Sequence, residues 1–442
     1  MTLHKKAIDI LKSYSLCDYC LGRQFSNLST GTTNRNRGST IKDFLTLFYS
    51  TDITDDTVLI LQALSRADNK LAKNTLNRNN FEIENSEECY ICQNTLTENS
   101  EEIIQEILPE IKDYEFQTFL IGTSLPKEFF ERERNLKEEF NVVQTEYLKQ
   151  EFNRLIGGRI GEFLSKETDF QSPEIVIEIN PLTYSIVLKL KSLYIYGRYR
   201  KYIRTLPQTR WPCRKCKGRG CIECNHTGKK HQESVEELAE YEALKLTHGY
   251  KGVLHGAGRE DIDALMLGTG RPFVLEIVKP KVRTIDLREL EKNTNQYGKG
   301  KIDVSEYRWS SKNELRDLKS SAERTVKKYK ALITFKEPIS EKKIKEIEEF
   351  FQNRPIDQRT PQRVSHRRAD LIRKKTAFSV QCSRINETHI EAIITCDGGC
   401  YVKELISGDN NRTKPSIAEV IGIEAKCKEL DVIEIQDGFN EA

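Results

Sequence analysis

Apolar and polar residues alternate around short apolar centres in two neighbouring runs, EIVIEIN at 174–180 and YSIVLKLK at 184–191, and again in HIEAIITCD at 389–397. Alternation at period two predicts strands that each bury one face. Elsewhere the period lengthens to that of a helix. The opening MTLHKKAIDILKSYSL predicts an amphipathic helix, and ISEKKIKEIEEFFQNRP predicts another, with Ile344, Ile347, Phe350 and Phe351 on one face. In SVEELAEYEALKLTHG, Ser234 and Glu237 stand in capping-box positions and Gly249 lies past the end, so both ends of that helix are marked. A strand is predicted from Tyr329 to Phe335. Helices and strands without regular βαβ spacing place the chain in the α+β class.

The same pattern suggests three segments: a first domain over 1–200, a basic linker with a cysteine-rich insert over 201–230, and a second domain over 231–442. Inside the first, the polar stretch SNLSTGTTNRNRGST precedes the apolar run IKDFLTLFY, and segments rich in Glu and Lys lead from about Ile103 into the alternating strands.

At 442 residues, with 37% hydrophobic and 31% charged residues, the chain is long enough for two or three cores under a polar surface. No run approaches the roughly 20 apolar residues that span a bilayer, and the opening helix lacks a small-residue cleavage site. A cytoplasmic protein with no membrane partner is expected, and nothing in the pattern calls for an obligate protein partner. The net charge of +3 is too small to advertise nucleic acid. Positive charge is nevertheless clustered in GRYRKYIR at 197–204, where Arg198, Arg200 and Lys201 interleave with Tyr199 and Tyr202. Further clusters are RTVKKYK at 324–330 and HRRADLIRKK at 366–375, the latter with His366, Arg367 and Arg368. Such runs are either solvated faces or salt-sensitive grips on RNA phosphate.

Eight of the twelve cysteines form four CxxC pairs. In a chain expected in a reducing compartment this usage points to metal before disulfide, and tetrahedral zinc is satisfied by four thiolates from two such pairs. Cys17, Cys20, Cys89 and Cys92 are expected to close one structural site. Cys213, Cys216, Cys221 and Cys224, separated by only four residues between pairs, are expected to form a second in a compact ribbon, with His226 as a less favoured substitute ligand. The remaining four, Cys382, Cys396, Cys400 and Cys427, lack such spacing and read as ordinary buried or half-buried thiols.

Candidate chemistry concentrates in HGAGREDIDALMLGTGRPFVLE at 255–276, which sets carboxylates in a Gly-rich loop bracketed by Arg259 and Arg271. Arginine supplies a planar donor for phosphate, and glycines let backbone approach a ligand. A second Gly-rich approach to a cation, CDGGCYVKEL at 396–405, leads to Lys403. Together with KKYKALITF around Tyr329, these segments resemble the motifs of pseudouridine synthases: Gly258, Arg259 and Glu260 leading to Asp261, then Tyr329, then Tyr401, Lys403 and Leu405.

The runs NPLTYSIVLKLKSLYIYGRYRKYIRTLPQTRWPC, GREDID, GTGRPF, DQRTPQRVSHRR and NRTKPS sharpen the resemblance to one family, pseudouridine synthase ten, whose members act on the T arm of tRNA. It covers the chain from about Pro173 to the end, and more loosely the N-terminal cysteine pairs. One departure is Leu265, where the family usually carries arginine. The resemblance implies a zinc-clipped, THUMP-like RNA-binding first domain. It further implies a catalytic domain built on a mixed, largely antiparallel sheet.

The implied reaction isomerises uridine at positions 54 and 55 without a cofactor. In it Asp261 acts as nucleophile or general base, Lys403 opposes desolvation of that carboxylate, and Tyr329 stacks on the base. Arg259 fills the vacated gap or holds phosphate, and Leu405 forms a wall behind the aspartate. Asp263 is the rival carboxylate, two residues on. A second reading of the same residues is a zinc-dependent RNA-binding or chaperone protein whose GRED loop contacts phosphate without turnover.

Overall fold

Both alternating runs near residue 180 are strands, and they end a four-stranded sheet. In the computed structural model, which describes all residues except 1, 29–30, 97–99, 144, 322–324, 367 and 437–442, the chain divides into two compact units, Met1–Lys191 and Ser192–Ala442. The first unit opens with five helices, Leu3–Ser13, Asp18–Arg23, Asn34–Tyr49, Asp55–Arg66 and Lys70–Arg78. Its sheet comprises β1 (Thr118–Thr123), β2 (Glu167–Thr168), β3 (Ile175–Ile179) and β4 (Ile186–Leu190) in the order β2-β1-β3-β4. The helices Lys127–Glu139 and Leu148–Leu164 connect β1 to β2. One hydrophobic core runs through the unit, from Ala7 and Leu45 through Cys20, Cys89 and Cys92 to Phe119 and Ile177.

The helix Asn34–Tyr49 starts inside the polar stretch SNLSTGTTNRNRGST and runs on through the apolar IKDFLTLFY. Its first turn is held by Thr33, whose hydroxyl accepts from the Asn36 amide at 3.1 Å. Asn34 is buried and donates to Glu146 and Glu151 from its side chain, each at 2.5 Å. Polar residues occupy a helical interior here because each finds a partner.

The second unit holds a ten-stranded sheet: β5 (Leu193–Lys201), β6 (Lys251–Gly256), β7 (Leu265–Val278), β8 (Ile302–Trp309), β9 (Val326–Phe335), β10 (Arg354–Arg359), β11 (Ile372–Arg384), β12 (His389–Asp397), β13 (Thr413–Lys414) and β14 (Ala425–Ile435). The order is β13-β10-β11-β12-β9-β14-β7-β5-β8, with β6 also on β7. Every pairing is antiparallel except β14 with β7, where Asp431 faces Leu265 and Val432 faces Met266. A mixed, largely antiparallel sheet is thus present. Gly268 makes the central approach feasible: at φ +55°, a Cβ there would lie 1.7 Å from the Ile433 carbonyl oxygen of β14.

The basic run at 197–204 lies elsewhere than the segmentation into 1–200 and 201–230 places it. Its first part is β5, a central strand of the second sheet paired with β7 and β8. β4 alternates half-buried with exposed positions, whereas β5 is buried along most of its length, as a strand with neighbours on both sides is. Helix Val235–Thr247 begins at the expected cap, Ser234, which accepts from the Glu237 amide at 3.2 Å. At its other end His248, not Gly249, takes the left-handed position. No helix among the described residues is long and apolar enough to cross a membrane.

Candidate active site

The loop from Ala257 to Ala264 leaves β6 and enters β7, and side chains from outside it hold four of its carbonyls. Arg271 donates to Ala257 O at 2.7 Å, and Gln208 to Gly258 O at 3.0 Å. Lys201 donates to Ile262 O at 3.1 Å, and Arg204 to Asp263 O at 2.9 Å. Beneath the loop the Glu260 carboxylate accepts from Arg271 Nε at 2.8 Å and from the Tyr199 hydroxyl at 2.9 Å. The Glu260 and Arg271 side chains are 1% and 2% exposed. Gly258 is required at its position: it has φ +84°, and a Cβ would meet Arg271 Nη1 at 3.1 Å and Lys327 Nζ at 3.2 Å. Asp261 therefore stands on a loop fixed from below.

A cleft of about 860 Å³ opens over this loop, within the range of roughly 300–1,000 Å³ typical of ligand sites. Asp261, Asp263, Tyr329, Arg363, Tyr401 and Lys403 line it. Asp261 accepts from Arg363 Nη1 at 2.9 Å, and its other oxygen is 3.4 Å from Lys403 Nζ. Lys403 sits nearer Asp263, at 2.8 and 2.9 Å from its two oxygens. Burial works against the Lys403 charge, but the Asp263 hydrogen bond and the Asp261 charge outweigh it, so its pKa stands above the ordinary lysine value. Burial likewise pushes Asp263 up, yet Lys403 prevails and holds it below the usual carboxylate range. Asp261 is the better enclosed carboxylate, 28% exposed against 61% for Asp263.

Arg363 is the side chain the sequence reading missed. It bridges Asp261 and the buried Glu404, donating to Glu404 Oε1 from Nε at 2.6 Å. It lies in the quoted run DQRTPQRVSHRR, but attention there falls on the denser charge of His366 to Arg368. Of those three, Arg368 lines the cleft and donates to the Tyr401 hydroxyl at 3.0 Å. His366 is exposed, and Arg367 lies outside the described residues. Arg259 is exposed at the rim, donating to Thr209 Oγ1 at 2.8 Å.

Tyr329 lies within β9 opposite Ile394 and Val432, 9% exposed at the cleft wall. Burial, reinforced by the neighbouring Cys396, raises its phenol pKa well beyond the ordinary value, so the hydroxyl stays protonated. Leu405 is fully buried in the core, and Val402, Leu430 and Val432 supply the apolar wall of the cleft.

The β5 cations are differently placed than an RNA patch would require. Arg198 and Lys201 are 5% and 0% exposed. Arg198 donates to the carbonyls of Thr269, Gly270 and Ile435, and Lys201 to those of Leu206 and Ile262. Their charge is spent stitching β5 to its neighbours, a role that charge density along a sequence does not distinguish from surface grip. Arg200 is half-exposed in a pair with Asp303 at 2.8 Å. At Leu265, which opens β7 opposite Asp431, the nearby cation comes from Arg204, 2.7 Å from that carboxylate.

Lys327, beside Gly258 under the loop, is 5% exposed. Burial, and then Arg271, lower its pKa from 10.5 to about 7, against smaller opposing contributions from Cys396 and Glu260. The folded protein therefore binds fewer protons than the unfolded chain between about pH 7 and 10.5, so this group makes stability rise with pH across that window. Thermal melting of the Lys327→Met variant is expected to show a flatter rise over pH 7–10 than the parent. Parallel profiles would remove Lys327 as the cause.

Two groups of four cysteines meet the geometry of a metal site. In Cys17/Cys20/Cys89/Cys92 and in Cys213/Cys216/Cys221/Cys224 the four sulfurs lie within 4.8 Å of one another. Tetrahedral Zn–S bonds of about 2.3 Å imply S···S edges of about 3.8 Å. Edges of 3.6 Å (Cys17–Cys92), 3.9 Å (Cys213–Cys221) and 3.9 Å (Cys216–Cys224) agree. Backbone amides of Gly220 and Gly228 donate to Cys216 and Cys224 sulfur, both at 3.2 Å, as thiolates require. His226 is exposed and outside the second group. Arg23, fully buried and paired with Glu133, donates to Cys20 Sγ at 3.2 Å.

Residues 194–436 match the family described as Pus10, C-terminal, and residues 103–180 match Pus10 THUMP domain, archaeal. The chain is 41% identical to a tRNA pseudouridine synthase Pus10 of Methanocaldococcus jannaschii, covering 97% of this chain and 94% of that one. Proteins of the same name from Methanothrix thermoacetophila and Thermofilum pendens are 39% and 37% identical, each over 97% of this chain and over 93% and 94% of theirs.

Proposed function

The chain belongs to the tRNA pseudouridine synthase Pus10 family, and on that basis we propose that it isomerises uridine to pseudouridine at positions 54 and 55 in the T arm of tRNA. The observation that carries this reading is Asp261 on its braced loop in the cleft of about 860 Å³, paired with Arg363 and Lys403 and accompanied by Tyr329. In the isomerisation the bond from ribose C1′ to base N1 breaks, the base turns, and C1′ joins C5. The C5 proton leaves and N1 takes one up, so no electrons enter and no cofactor is needed.

Asp261 serves as nucleophile toward the sugar or as the base for the departing proton. Arg363 and Lys403 pair with it and hold it in the cleft. Tyr329 offers its ring to the extruded base, a contact worth roughly 1–3 kcal/mol. Arg259 and Arg368 at the rim take phosphate, with Tyr401 held by Arg368, while Gly258 gives the loop room and Leu405 packs behind it. His366 is a further candidate RNA contact, Arg367 is one by its place in the sequence alone, and Arg200 is a lesser contact. The first unit, with its THUMP match, docks the RNA from the cytoplasm.

Incubating the protein with unmodified tRNA transcript and mapping carbon-linked uridine chemically tests this reading. Signal at 54 and 55 is expected. Tight tRNA binding without any signal would favour the binding-module alternative.

The two cysteine groups hold structural zinc, four thiolates each leaving no open position for water. Elemental analysis is expected to find about two zinc ions per chain. Cys20→Ser should lower that by one and destabilise the first unit, because Cys20, Cys89 and Cys92 belong to its core. A metal-free protein with unchanged melting would count against both sites.

A further inference from the structure

We propose that Lys327 is a catalytic residue of the same reaction, the base that takes the proton from uracil C5 once C5 has joined ribose C1′. The inference rests on the proposed isomerisation and divides between two side chains the roles open to Asp261: the carboxylate attacks the sugar, and the amine removes the proton. Lys327 and Tyr329 stand two residues apart on β9, so their side chains leave the same face of the strand about 7 Å apart. Both line the cleft. On either side Lys327 is flanked by Cys396 of β12 and Ile435 of β14. Over it lies Gly258, where a Cβ would stand 3.2 Å from Lys327 Nζ, so the amine reaches the foot of the Asp261 loop. At 5% exposure it borders the cavity while almost closed off from bulk water.

An ordinary lysine is a poor base at neutral pH because it is already protonated. Here burial disfavours the charge most, Arg271 from β7 adds to that, and Lys375 from β11 works in the same direction. Cys396 and Glu260 oppose them without prevailing, and the pKa stands at about 7, where a general base serves best. The other groups of the cleft are committed elsewhere. Tyr329 keeps its hydroxyl proton, and Asp261 is paired with Arg363 and Lys403. The step needs no co-reactant. When the new bond from C1′ has formed, C5 still carries its hydrogen. Nζ takes that proton, the C5–H pair becomes the C5=C6 double bond, and the former C6=N1 pair moves to N1. N1 then takes a proton from water, and the Lys327 ammonium returns one to water.

Lys327→Met and Lys327→Gln in the full chain test the proposal, with thermal melting as the check that each folds. Single-turnover pseudouridine formation at saturating tRNA is expected to fall by about 10²–10⁴-fold in both, with the dissociation constant for tRNA within about threefold of the parent. The parent rate should drop roughly tenfold per pH unit below about pH 7, as the amine takes up its proton, and the residual rate of the variants should lack that limb. A transcript carrying 5-fluorouridine separates base catalysis from positioning. Fluorine cannot leave C5 as a cation, so the reaction stops after the C1′–C5 bond has formed and a rearranged fluorinated nucleoside accumulates. Because Lys327 acts only after that bond, both variants should form this product within about threefold of the parent rate. Comparable losses on the two transcripts would overturn the base and leave Lys327 a positioning residue, and near-parental rates on uridine would overturn any role in the chemistry. Parent protein that forms neither pseudouridine nor the fluorinated product would overturn the proposed reaction itself, and this inference with it.

Discussion

Asp261→Ala is expected to reduce pseudouridine formation by about 10⁴-fold or more while leaving tRNA affinity the same or tighter. Losing a group that acts covalently or as the central base removes the chemical step. Affinity moves the other way for an electrostatic reason. Arg363 and Lys403 would each lose the Asp261 charge now 2.9 and 3.4 Å away, leaving more positive potential facing a polyanion. Asp263→Ala should behave differently. Asp263 is mostly exposed and its visible work is to hold Lys403, so its loss should cost on the order of tenfold through misplacement of that cation. Single-turnover rates on the mapped tRNA position, measured beside binding isotherms, separate the two carboxylates. Full activity in Asp261→Ala with loss in Asp263→Ala would exchange their roles.

The second large effect is expected at Arg271, which touches no substrate in the proposed mechanism. Arg271→Ala should destabilise the second unit by about 3–5 kcal/mol, because it strands the buried Glu260 carboxylate with the Tyr199 hydroxyl in place of a full counter-charge. For a unit of this size that corresponds to a fall in melting temperature on the order of 10 °C. Catalysis should fall as well, since Arg271 also holds the Ala257 carbonyl at the start of the Asp261 loop. Replacing both partners, Glu260→Met with Arg271→Met, discriminates charge burial from positioning. An apolar pair leaves no unpaired charge, so stability should largely return. The rate should stay low, because the loop has still lost its donor. Recovery of both together would mean that the pair serves stability alone, and a single variant melting within about 2 °C of the parent would remove the buried-pair argument.

Arg271 and Glu260 also show why part of the site was legible and part was not. Both sit in the run 255–276 that the sequence marks by its glycines and charges, and Glu260 stands next to Asp261 in the motif. Nothing in their spacing says that one carboxylate turns inward to a buried arginine while its neighbour turns outward to the cleft. Arg363 makes the complementary point. It comes from a segment 102 residues away from Asp261, and only the folding of the 360–371 stretch over the cleft selects it from the several arginines around it.

What the sequence determined by itself are the properties written in local pattern: strands from period two, helices from longer period and caps, two four-cysteine groups from four CxxC pairs, and family membership from the runs that carry it. These are short-range, since side-chain alternation and thiolate spacing depend on a few neighbouring residues. Tertiary structure alone decided what depends on distant segments meeting. The central place of β5 turned Arg198 and Lys201 from an expected RNA patch into interior donors, because it sets them against the carbonyls of Thr269, Gly270 and Ile435 and of Leu206 and Ile262. The approach of β14 to β7 at Gly268 brought Asp431, and Arg204 with it, to Leu265. Whether a cation grips RNA or holds the fold is decided by which groups surround it in space, and the order of residues along the chain does not contain that information in any local form.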